Sequence, residues 1–432
     1  MNIPEISLPR VVILGGGFAG LNLAKNIDTE HYQVVMLDRH NYHTFQPLLY
    51  QVATAGLEPD SIAYPLRKTF ANKKRFHFRM AEIQEVNEEQ KIVRTSIGDL
   101  RYDHLVMATG ARSNYFGMKN VEANAMPMKS LTQSLDLRSM ILQNFEKALY
   151  AQDVAEQKRL MTFVIVGGGP TGVELAGALA ELKLHVLPTD YPDLDLRDME
   201  IHLIEAAPSL LAAMSKQASQ KALKFLEGMG VNLWVDTLVK DYDGKTVTTA
   251  DREIPAETLI WAAGVMGAPV EGIQAEKIGA GNRIIVDENC QVKDSQDIWA
   301  MGDVALMQTE KYNRGLPMLG SVAMQQGSYL AKNFNRLAKG KSLKPFKYKD
   351  KGTMATIGRN RAVVDLPFWK FSGTMAWFAW MFVHLMLLVG FRNRVVTFIN
   401  WAWGYLNYDR SNRLIVRNFR RKKGEVLDKV HF

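Results

Sequence analysis

Residues 11–38 read VVILGGGFAGLNLAKNIDTEHYQVVMLD, and this stretch decides the fold. A β-branched run leads into a glycine turn and a helical segment, and a second apolar run then ends on Asp38. Gly15 permits the tight turn, Gly17 lets a phosphate approach the backbone, and Gly20 lets the helix lie against the strand. Asp38 follows Gly20 by 18 residues, where a carboxylate accepts hydrogen bonds from ribose hydroxyls. The stretch therefore predicts a dinucleotide-binding βαβ unit, with the pyrophosphate at the helix N-terminus.

A second stretch of the same type occurs at residues 162–182, which read TFVIVGGGPTGVELAGALAEL. Its turn glycines are Gly167, Gly169 and Gly172. The following apolar run ends on Glu205, 33 residues after Gly172, because a polar insertion at 183–199 delays it. Ala, Ala and Pro follow Glu205, so no arginine is available for a 2′-phosphate. This second unit is therefore expected to bind NADH rather than NADPH.

Composition narrows the class of protein. The chain has 432 residues, of which 47% are hydrophobic and 23% are charged, as in a globular protein with room for two or three domains. Cys290 is the only cysteine. A structural disulfide, a zinc knuckle, an iron–sulfur cluster and a redox-active cysteine pair within this chain are thus excluded, and no metal site is predicted. The first ten residues, MNIPEISLPR, contain no apolar stretch of signal-peptide length, which predicts no secretory signal.

Several shorter patterns repeat or extend the two units. Apolar strands end in Ala-Thr-Gly at Thr109 and Gly110 and again in Trp-Ala-Ala-Gly at residues 261–264, where small residues suit a backbone close to a ligand. A later strand ends in Gly302 and Asp303. Apolar spacing predicts helices over 131–159 and over 321–338.

The C-terminal region combines apolar and basic segments. Residues 371–391 form 21 almost uncharged residues with His384 as the only titratable one, which by length is a candidate membrane span. A hairpin lying in the membrane interface is favoured, because the following apolar run (395–406) is too short to span and basic residues follow at 410–423. The tryptophans and tyrosine expected at headgroup depth are Trp377, Trp380, Trp401, Trp403 and Tyr405.

The C-terminal region also carries most of the net charge of the chain. Residues 392–432 carry ten Lys/Arg against three acids, a net charge of +7 out of +8 for the chain. Next to a Trp-rich apolar block this charge indicates anionic lipid rather than nucleic acid. A buried core or dimer interface formed by residues 371–406 is the other interpretation. His384 is expected to be a packed histidine rather than a proton relay.

Taken together, these patterns resemble the type II NADH dehydrogenases, a group of flavoproteins with two dinucleotide-binding domains. The resemblance extends from Val11 to about Arg421 and is carried by NYHTFQPLLYQVATAGL, GGGPTGVELAGALAE, VAMQQG, HLMLLVGFRNR and WAWGY. It implies an α/β fold with two Rossmann-like domains in tandem and a C-terminal helical segment at a membrane surface. The implied domains are FAD-binding at 1–130 and 281–350, NADH-binding at 131–280 and membrane-associated at 351–432.

The resemblance also assigns site residues. FAD is implied on Gly15, Gly17, Gly20, Asp38, Thr109, Gly110, Gly302 and Asp303, and NADH on Gly167, Gly169, Gly172, Glu174 and Glu205. Gln46, Pro47 and the helix around Gln325 are implied at the flavin ring and the quinone mouth. Family members often carry Ala-Gln where this chain has Gly320 and Ser321, so the first quinone-side glutamine is missing and Gln325 is the better candidate.

The implied function is non-proton-pumping NADH:quinone oxidoreduction at the cytoplasmic face of the cell inner membrane by a peripheral protein, and formation of a homodimer stays open. Glu174, in the first turns of its helix, is the strongest candidate for a functional side chain: it could orient the nicotinamide or help deliver a proton to the quinone, or simply favour the helix N-terminus. Two alternatives stay open, a soluble flavin reductase serving a ferredoxin- or rubredoxin-like protein and a non-enzymatic redox-sensing flavoprotein. Sulfide:quinone oxidoreduction is excluded because it needs catalytic cysteines.

Overall fold

The computed structural model describes residues 1–407, 412–416 and 418–419. Half of the predicted basic segment at 410–423, including six of its seven basic residues, thus lies outside the described residues. Its helices are α1 (Phe18–Asn26), α2 (Leu49–Ala53), α3 (Pro59–Ile62), α4 (Leu66–Thr69), α5 (Lys119–Asn124), α6 (Leu131–Ala148), α7 (Val154–Leu160), α8 (Pro170–His185), α9 (Leu187–Asp190), α10 (Lys216–Glu227), α11 (Gly320–Leu337), α12 (Thr374–Leu387) and α13 (Phe391–Asn407).

The strands are short, as is usual in open α/β sheets. They are β1 (Arg10–Leu14), β2 (Gln33–Asp38), β3 (Tyr42–Thr44), β4 (Ala63–Pro65), β5 (Phe76–Met80), β6 (Ile83–Asn87), β7 (Ile92–Thr95), β8 (Leu100–Arg101), β9 (His104–Met107), β10 (Ala111–Ser113), β11 (Met126–Pro127), β12 (Thr162–Val166), β13 (Glu200–Ile204), β14 (Asn232–Trp234), β15 (Asp241–Tyr242), β16 (Thr246–Thr248), β17 (Glu253–Pro255), β18 (Thr258–Trp261), β19 (Val265–Gly267), β20 (Ile278–Gly279), β21 (Arg283–Val286), β22 (Ile298–Ala300), β23 (Ala305–Met307), β24 (Thr353–Gly358), β25 (Arg361–Asp365) and β26 (Lys370–Ser372).

The chain divides into two compact units, and the first comprises residues 1–44, 64–112 and 265–349. Its main sheet is parallel, with strand order β22-β9-β1-β2-β5. β1 is fully buried, and its neighbours β2 and β9 are buried except at Asp38 and His104; the three strands are rich in Val, Ile, Leu and Met, as expected for a parallel sheet covered on both faces. α11 packs closely on α1, since a Cβ added at Gly327 would lie 2.2 Å from the carbonyl oxygen of Ala19.

The second unit comprises residues 45–63, 113–264 and 350–432. Its parallel sheet repeats the same plan, with order β11-β18-β12-β13-β14. The antiparallel sheet β24-β25-β26 lies against α8, and an added Cβ at Gly177 would be 1.7 Å from the carbonyl oxygen of Ile357. The helix that follows the second glycine turn is therefore in direct contact with the C-terminal region.

The two tandem Rossmann-like units predicted from the glycine turns are confirmed. The single helix predicted over 131–159 is wrong: α6 ends at Ala148, and α7 starts only after Asp153, whose side chain caps it by accepting a hydrogen bond of 2.7 Å from the N–H of Glu156. The chain passes between the compact units after residues 44, 63, 112, 264 and 349, whereas the predicted domain boundaries lie at 130, 280 and 350. That functional division stays a prediction.

Residues 371–391 do not form one helix. α12 has 14 residues, which corresponds to about 21 Å, against the roughly 30 Å of a bilayer core. It ends at Leu387, the next residue Leu388 is extended (φ −61°, ψ 140°), and Gly390 turns the chain with φ +88° before α13. Within the described residues, no helix combines the length and the apolar character needed to cross a membrane.

Candidate active site

The first glycine turn has the geometry that a dinucleotide requires. Gly15 has φ +107°, and a Cβ there would lie 2.4 Å from the carbonyl oxygen of Ala108. A Cβ at Gly20 would lie 1.9 Å from the carbonyl oxygen of Gly15. The helix can therefore come this close to the turn only because residue 20 is glycine. A Cβ added at Gly17 would have no atom within 4 Å, and Gly17 begins α1 without a side-chain cap. The first amides of α1 are thus available to a pyrophosphate.

The second glycine turn repeats this geometry closely. Gly167 has φ +113°, and a Cβ at Gly172 would again lie 1.9 Å from the carbonyl oxygen of the turn's first glycine. Gly169 has no atom within 4 Å of an added Cβ and begins α8 without a side-chain cap. Pro170 occupies the first helical position, where its missing N–H costs no hydrogen bond.

Of the two predicted acids, Asp38 is the last residue of β2 and Glu205 directly follows β13. The Asp38 carboxylate accepts from the N–H of Gly16 at 2.6 Å and of His40 at 2.7 Å. Burial raises the pKa of Asp38, while these two N–H groups oppose that effect. Glu205 accepts from the N–H of Gly168 at 2.5 Å and of Ala207 at 2.7 Å. Each carboxylate is thus fixed beside its glycine turn and keeps lone pairs for ribose hydroxyls.

Four further predicted FAD residues, Thr109, Gly110, Gly302 and Asp303, lie in the same unit as the first turn. Thr109 donates its hydroxyl to the carbonyl oxygen of Ala268 at 2.6 Å, and Gly110 has φ +74°. Gly302, with φ +73°, donates its N–H at 2.7 Å to the side-chain oxygen of Gln326. Asp303 is partly exposed next to it. Gln326 is 1% exposed, so it is Gln326 rather than Gln325 that holds the Gly302 turn.

Gln325 is occupied by a backbone contact. Its amide donates to the carbonyl oxygen of Lys349 at 3.0 Å, and its oxygen accepts from the N–H of Lys349 at 3.1 Å. Gln46 and Pro47 belong to the second compact unit and are exposed there, and the Gln46 oxygen lies 3.5 Å from Nζ of Lys129. The predicted roles of these three residues at the flavin or the quinone stay predictions.

The second unit contains an aromatic cavity of about 140 Å³ with Glu174 in its wall. Glu174 lies on α8, five positions after Gly169. The other walls come from α2, β24, α12 and α13, which are distant from one another in sequence. The side chains and backbone that line the cavity belong to Tyr50, Gln51, Thr54, Gly56, Glu174, Ala178, Glu181, Thr356, Gly358, Arg359, Trp377, Trp380, Met381, Asn400, Trp401, Gly404 and Tyr405.

The electrostatics of this cavity centre on Glu174. Burial raises the pKa of its carboxyl to about 8, although the N–H of Thr356, 3.4 Å from the carboxyl oxygen, and the Trp380 indole oppose the shift. Nε1 of Trp380 is buried and makes no hydrogen bond of standard geometry among the described residues. Its N–H nevertheless faces the Glu174 carboxyl and lowers the pKa of that group. Glu174 therefore carries its proton at neutral pH and can donate it into the cavity.

His384 packs behind the cavity wall and has no role in proton transfer in this arrangement. Its ring stacks on Trp380 with centroids 4.0 Å apart, and its Nδ1 lies 2.7 Å from the carbonyl oxygen of Trp380. Burial lowers the pKa of His384 to about 4, so the ring is neutral at physiological pH. This is the behaviour expected of a packed histidine.

Most residues of the cavity are not recognisable as site residues from the sequence. Trp380 was expected at headgroup depth and is instead 1% exposed; Trp377, Trp401 and Tyr405 are partly buried in the cavity wall. Of the five aromatic residues, Trp403 is the exposed one. Trp401 donates its indole N–H to Gln51 at 2.8 Å. The aromatic composition was visible in the sequence, but it does not distinguish a cavity wall from a lipid contact.

Comparisons with known proteins agree with this geometry. Residues 9–327 match the family model described as pyridine nucleotide-disulphide oxidoreductase, the class that the two glycine turns define. Residues 351–407 match the NDH2 C-terminal domain, which corresponds to the β24–β26 sheet with α12 and α13.

Among curated proteins, the chain is similar to the type II NADH:quinone oxidoreductase NdhA of Mycobacterium tuberculosis, with 34% identity over 94% of this chain and 89% of that protein. It is 33% identical to the internal alternative NAD(P)H-ubiquinone oxidoreductase A1 of Arabidopsis thaliana, over 91% of this chain and 83% of that one. The chain belongs to the type II NADH dehydrogenases.

Solved structures show the same fold. NDH2 of Plasmodium falciparum in complex with NADH aligns with a TM-score of 0.87 at 22% identity, covering 95% of this chain and 100% of that one. The sulfide:quinone oxidoreductase of Aquifex aeolicus aligns with a TM-score of 0.67 at 19% identity, covering 98% of this chain and 96% of that one.

Proposed function

We propose that the protein is a non-proton-pumping NADH:quinone oxidoreductase that reduces a membrane quinone with electrons from NADH through FAD. One observation carries the proposal. The helix α8 presents its uncapped N-terminus to the second dinucleotide site and, one turn later, its protonated Glu174 to an aromatic cavity. One helix therefore connects the NADH site with an aromatic-walled cavity suited to a flat ring such as that of a quinone.

The two glycine turns fit FAD and NADH. Both turns leave space where a Cβ would stand at Gly17 and Gly169, and both place a carboxylate beside that space. We assign FAD to the first unit, with Asp38 toward its ribose, and NADH to the second, with Glu205 in the same role. When bound, FAD supplies the chemistry that accepts a hydride from NADH and gives two electrons to a quinone.

The protein's own part in quinone reduction is proton delivery and exclusion of water. A quinone becomes a quinol by taking up two electrons and two protons. The carboxyl of Glu174 holds one of these protons in a cavity walled by Tyr50, Trp380 and Trp401. After donation the buried carboxylate is costly, so it takes up a proton again. Gln325, Gln46 and Pro47 stay in the proposal as quinone- and flavin-side residues.

Attachment to a lipid surface is supported by an apolar face on each C-terminal helix. On α12 the exposed residues recur at helical spacing, and the same is true of α13. This apolar face consists of Met375, Phe378, Phe382 and Met386 on α12 and Phe391, Val395, Phe398, Ile399, Trp403 and Leu406 on α13. The excess of seven positive charges in residues 392–432 is complementary to anionic headgroups. We place the protein at the cytoplasmic face of the membrane, with a homodimer as the assembly to be tested.

Anaerobic stopped-flow spectroscopy tests the proposal. NADH should bleach the flavin absorbance, and ubiquinone or menaquinone analogues added next should restore it. A colourless protein, or a flavin that NADH does not reduce, would contradict the cofactor assignment. A flavin that NADH reduces but no quinone reoxidises would leave a redox sensor or a reductase of a small electron carrier as the better description.

A further inference from the structure

The segment between β10 and α5 contains a tight turn with two residues in the left-handed region. Phe116 has φ +51° and Gly117 has φ +80°, and the N–H of Met118 donates to the carbonyl oxygen of Tyr115 at 3.0 Å. Two positive φ values in a turn closed by this hydrogen bond define type I′. Asn and Gly are the usual residues at its central positions, because a bulky side chain is strained there. Phe116 therefore occupies a position that costs backbone strain.

Burial in the core does not account for a phenylalanine in this turn. The side chain of Phe116 is 62% exposed, whereas its neighbour Tyr115 is 7% exposed and belongs to the core of the second unit. The Phe116 ring makes an edge contact with Trp261, with centroids 6.4 Å apart and planes at 62°. An asparagine here would relieve the strain and give up little buried apolar area. Positions that break a local preference without a gain in packing are expected at functional sites.

Hydrogen bonds hold this turn against the end of β18. The side-chain oxygen of Asn114 accepts from the N–H of Phe116 at 2.9 Å, and the N–H of Asn114 donates to the carbonyl oxygen of Gly264 at 3.1 Å. The carbonyl oxygen of Asn114 accepts from the Trp261 indole at 2.8 Å. Gly264 lets the ring come close, because a Cβ there would lie 2.9 Å from Cζ of Phe116. The ring is thus fixed at one point, directly after β18.

This point borders the second glycine turn. β18 pairs with β12, where Trp261 lies opposite Val166, the residue before Gly167. β13 pairs with β12 on its other side and leads directly into Glu205. Phe116 and Glu205 therefore flank the glycine turn from opposite sides, at the carboxyl ends of three parallel strands. With the adenosine ribose on Glu205 and the pyrophosphate at the turn, the other half of a dinucleotide extends over the end of β18.

We propose that the Phe116 ring packs against the nicotinamide half of bound NADH and holds it at the end of β18. The inference rests on the proposed assignment of NADH to the second unit and adds to it a binding residue for the nicotinamide half. An exposed aromatic ring suits this half of the molecule, because the nicotinamide is itself a flat ring. The hydrogen-bonded turn fixes the backbone of Phe116 beforehand, which lowers the entropic cost of binding.

Equilibrium binding of NAD⁺ and of ADP to the full-length flavoprotein tests the proposal. F116N should weaken NAD⁺ binding about five-fold, the effect of one aromatic contact. ADP binding should be unchanged, because ADP lacks the nicotinamide half. The Tm of F116N without nucleotide should stay constant or rise, since asparagine tolerates a positive φ. F116Y, which keeps the ring, should bind NAD⁺ like the native protein.

The matched control is Y150N, which removes another exposed aromatic ring of the same unit, between α6 and α7. Native NAD⁺ affinity in F116N, or an equal loss of affinity in Y150N, would overturn the proposal. So would a loss of ADP affinity as large as that of NAD⁺ affinity, or a fall in Tm of several degrees, which would indicate a structural role for the ring. A native protein that binds neither nucleotide, and whose flavin NADH does not reduce, would refute the NADH assignment itself.

Discussion

At the scale of single residues, Glu174 illustrates how burial changes chemistry. A carboxyl at the surface is ionised at neutral pH, whereas burial raises the pKa of Glu174 from 4.5 to about 8. The same helix places this residue next to the second glycine turn, so a local sequence signal and a tertiary environment meet in one side chain.

Glu174→Gln should slow quinone reduction by about ten- to a hundred-fold, because the amide cannot donate a proton in the transition state. NADH affinity and flavin reduction by NADH should remain unchanged. Stopped-flow measurement of the two half-reactions distinguishes these effects. Equal rates of flavin reoxidation in the variant and the native protein would remove Glu174 from the mechanism.

The pH dependence has a defined sign. The folded-state pKa of Glu174 is raised, so between about pH 4.5 and pH 8 the folded protein binds more protons at this group than the unfolded protein. This group therefore lowers the free energy of unfolding as the pH rises through that window. The rate of quinone reduction should fall above pH 8 in the native protein. In E174Q the contribution of this group to the pH dependence of the free energy of unfolding should disappear, which urea unfolding measures. The fall in the rate of quinone reduction above pH 8 should disappear as well, which a pH–rate profile measures.

The glycines of the second turn can be tested as a pair. Gly169→Ala should lower NADH affinity about ten-fold with little change in Tm, because the added methyl occupies only the open space beside the turn. Gly172→Ala should lower Tm as well, since its Cβ would meet the carbonyl oxygen of Gly167 at 1.9 Å. FAD content serves as the internal control. Unchanged NADH titrations in G169A would contradict the assignment of this turn.

At the scale of elements, α13 is held by polar side chains on one of its faces. The side-chain amide of Asn393, which is 4% exposed, lies within 2.8 to 3.3 Å of the carbonyl oxygens of Asp60, Ser61 and Ala63. Asn400 donates to Glu58 at 2.6 Å. α13 thus has an exposed apolar face and a polar face that docks on residues 58–63. Its sequence alone predicts only that the helix is amphipathic.

Asn393→Ala should destabilise the docking of α13 by about 1–3 kcal/mol, because buried carbonyl oxygens lose their donor. We expect quinone reduction to fall several-fold, since α13 supplies Trp401 to the cavity wall, whereas ferricyanide reduction should not change. Asn407→Ala, at an exposed position of the same helix, is the control. If both variants reduce quinone equally well, α13 is not needed in its docked position.

At the scale of the whole molecule, the proposed lipid attachment predicts a separable defect. Replacing Phe378, Phe382 and Phe398 with Ser removes three exposed phenylalanines from the apolar face, each at least 55% exposed. The variant should remain in the supernatant when neutral vesicles are sedimented, because apolar burial drives that binding. Tyr150→Ser, at a 73% exposed position, should sediment like the native protein. A native oligomer that loses subunits in the triple variant would instead identify the face as a subunit contact.

The sequence by itself determined the two dinucleotide-binding units. Their requirements are local. Gly15 and Gly167 have a positive φ, and any side chain at Gly20 or Gly172 would place its Cβ less than 2 Å from a carbonyl oxygen of the same turn. Such constraints act within about twenty residues, so they are visible as a pattern. The apolar spacing does not predict the break between α6 and α7, because a single capping side chain, Asp153, starts a new helix there although the apolar spacing continues.

Tertiary structure alone decided the Glu174 cavity and the docking of the C-terminal helices. Residues from positions 50–56, 174–181, 356–359 and 377–405 converge there, and no spacing within any one segment predicts the others. The raised pKa of Glu174 follows from the loss of water around its carboxyl. Desolvation depends on every atom that surrounds a group, so it becomes defined only when the chain has folded.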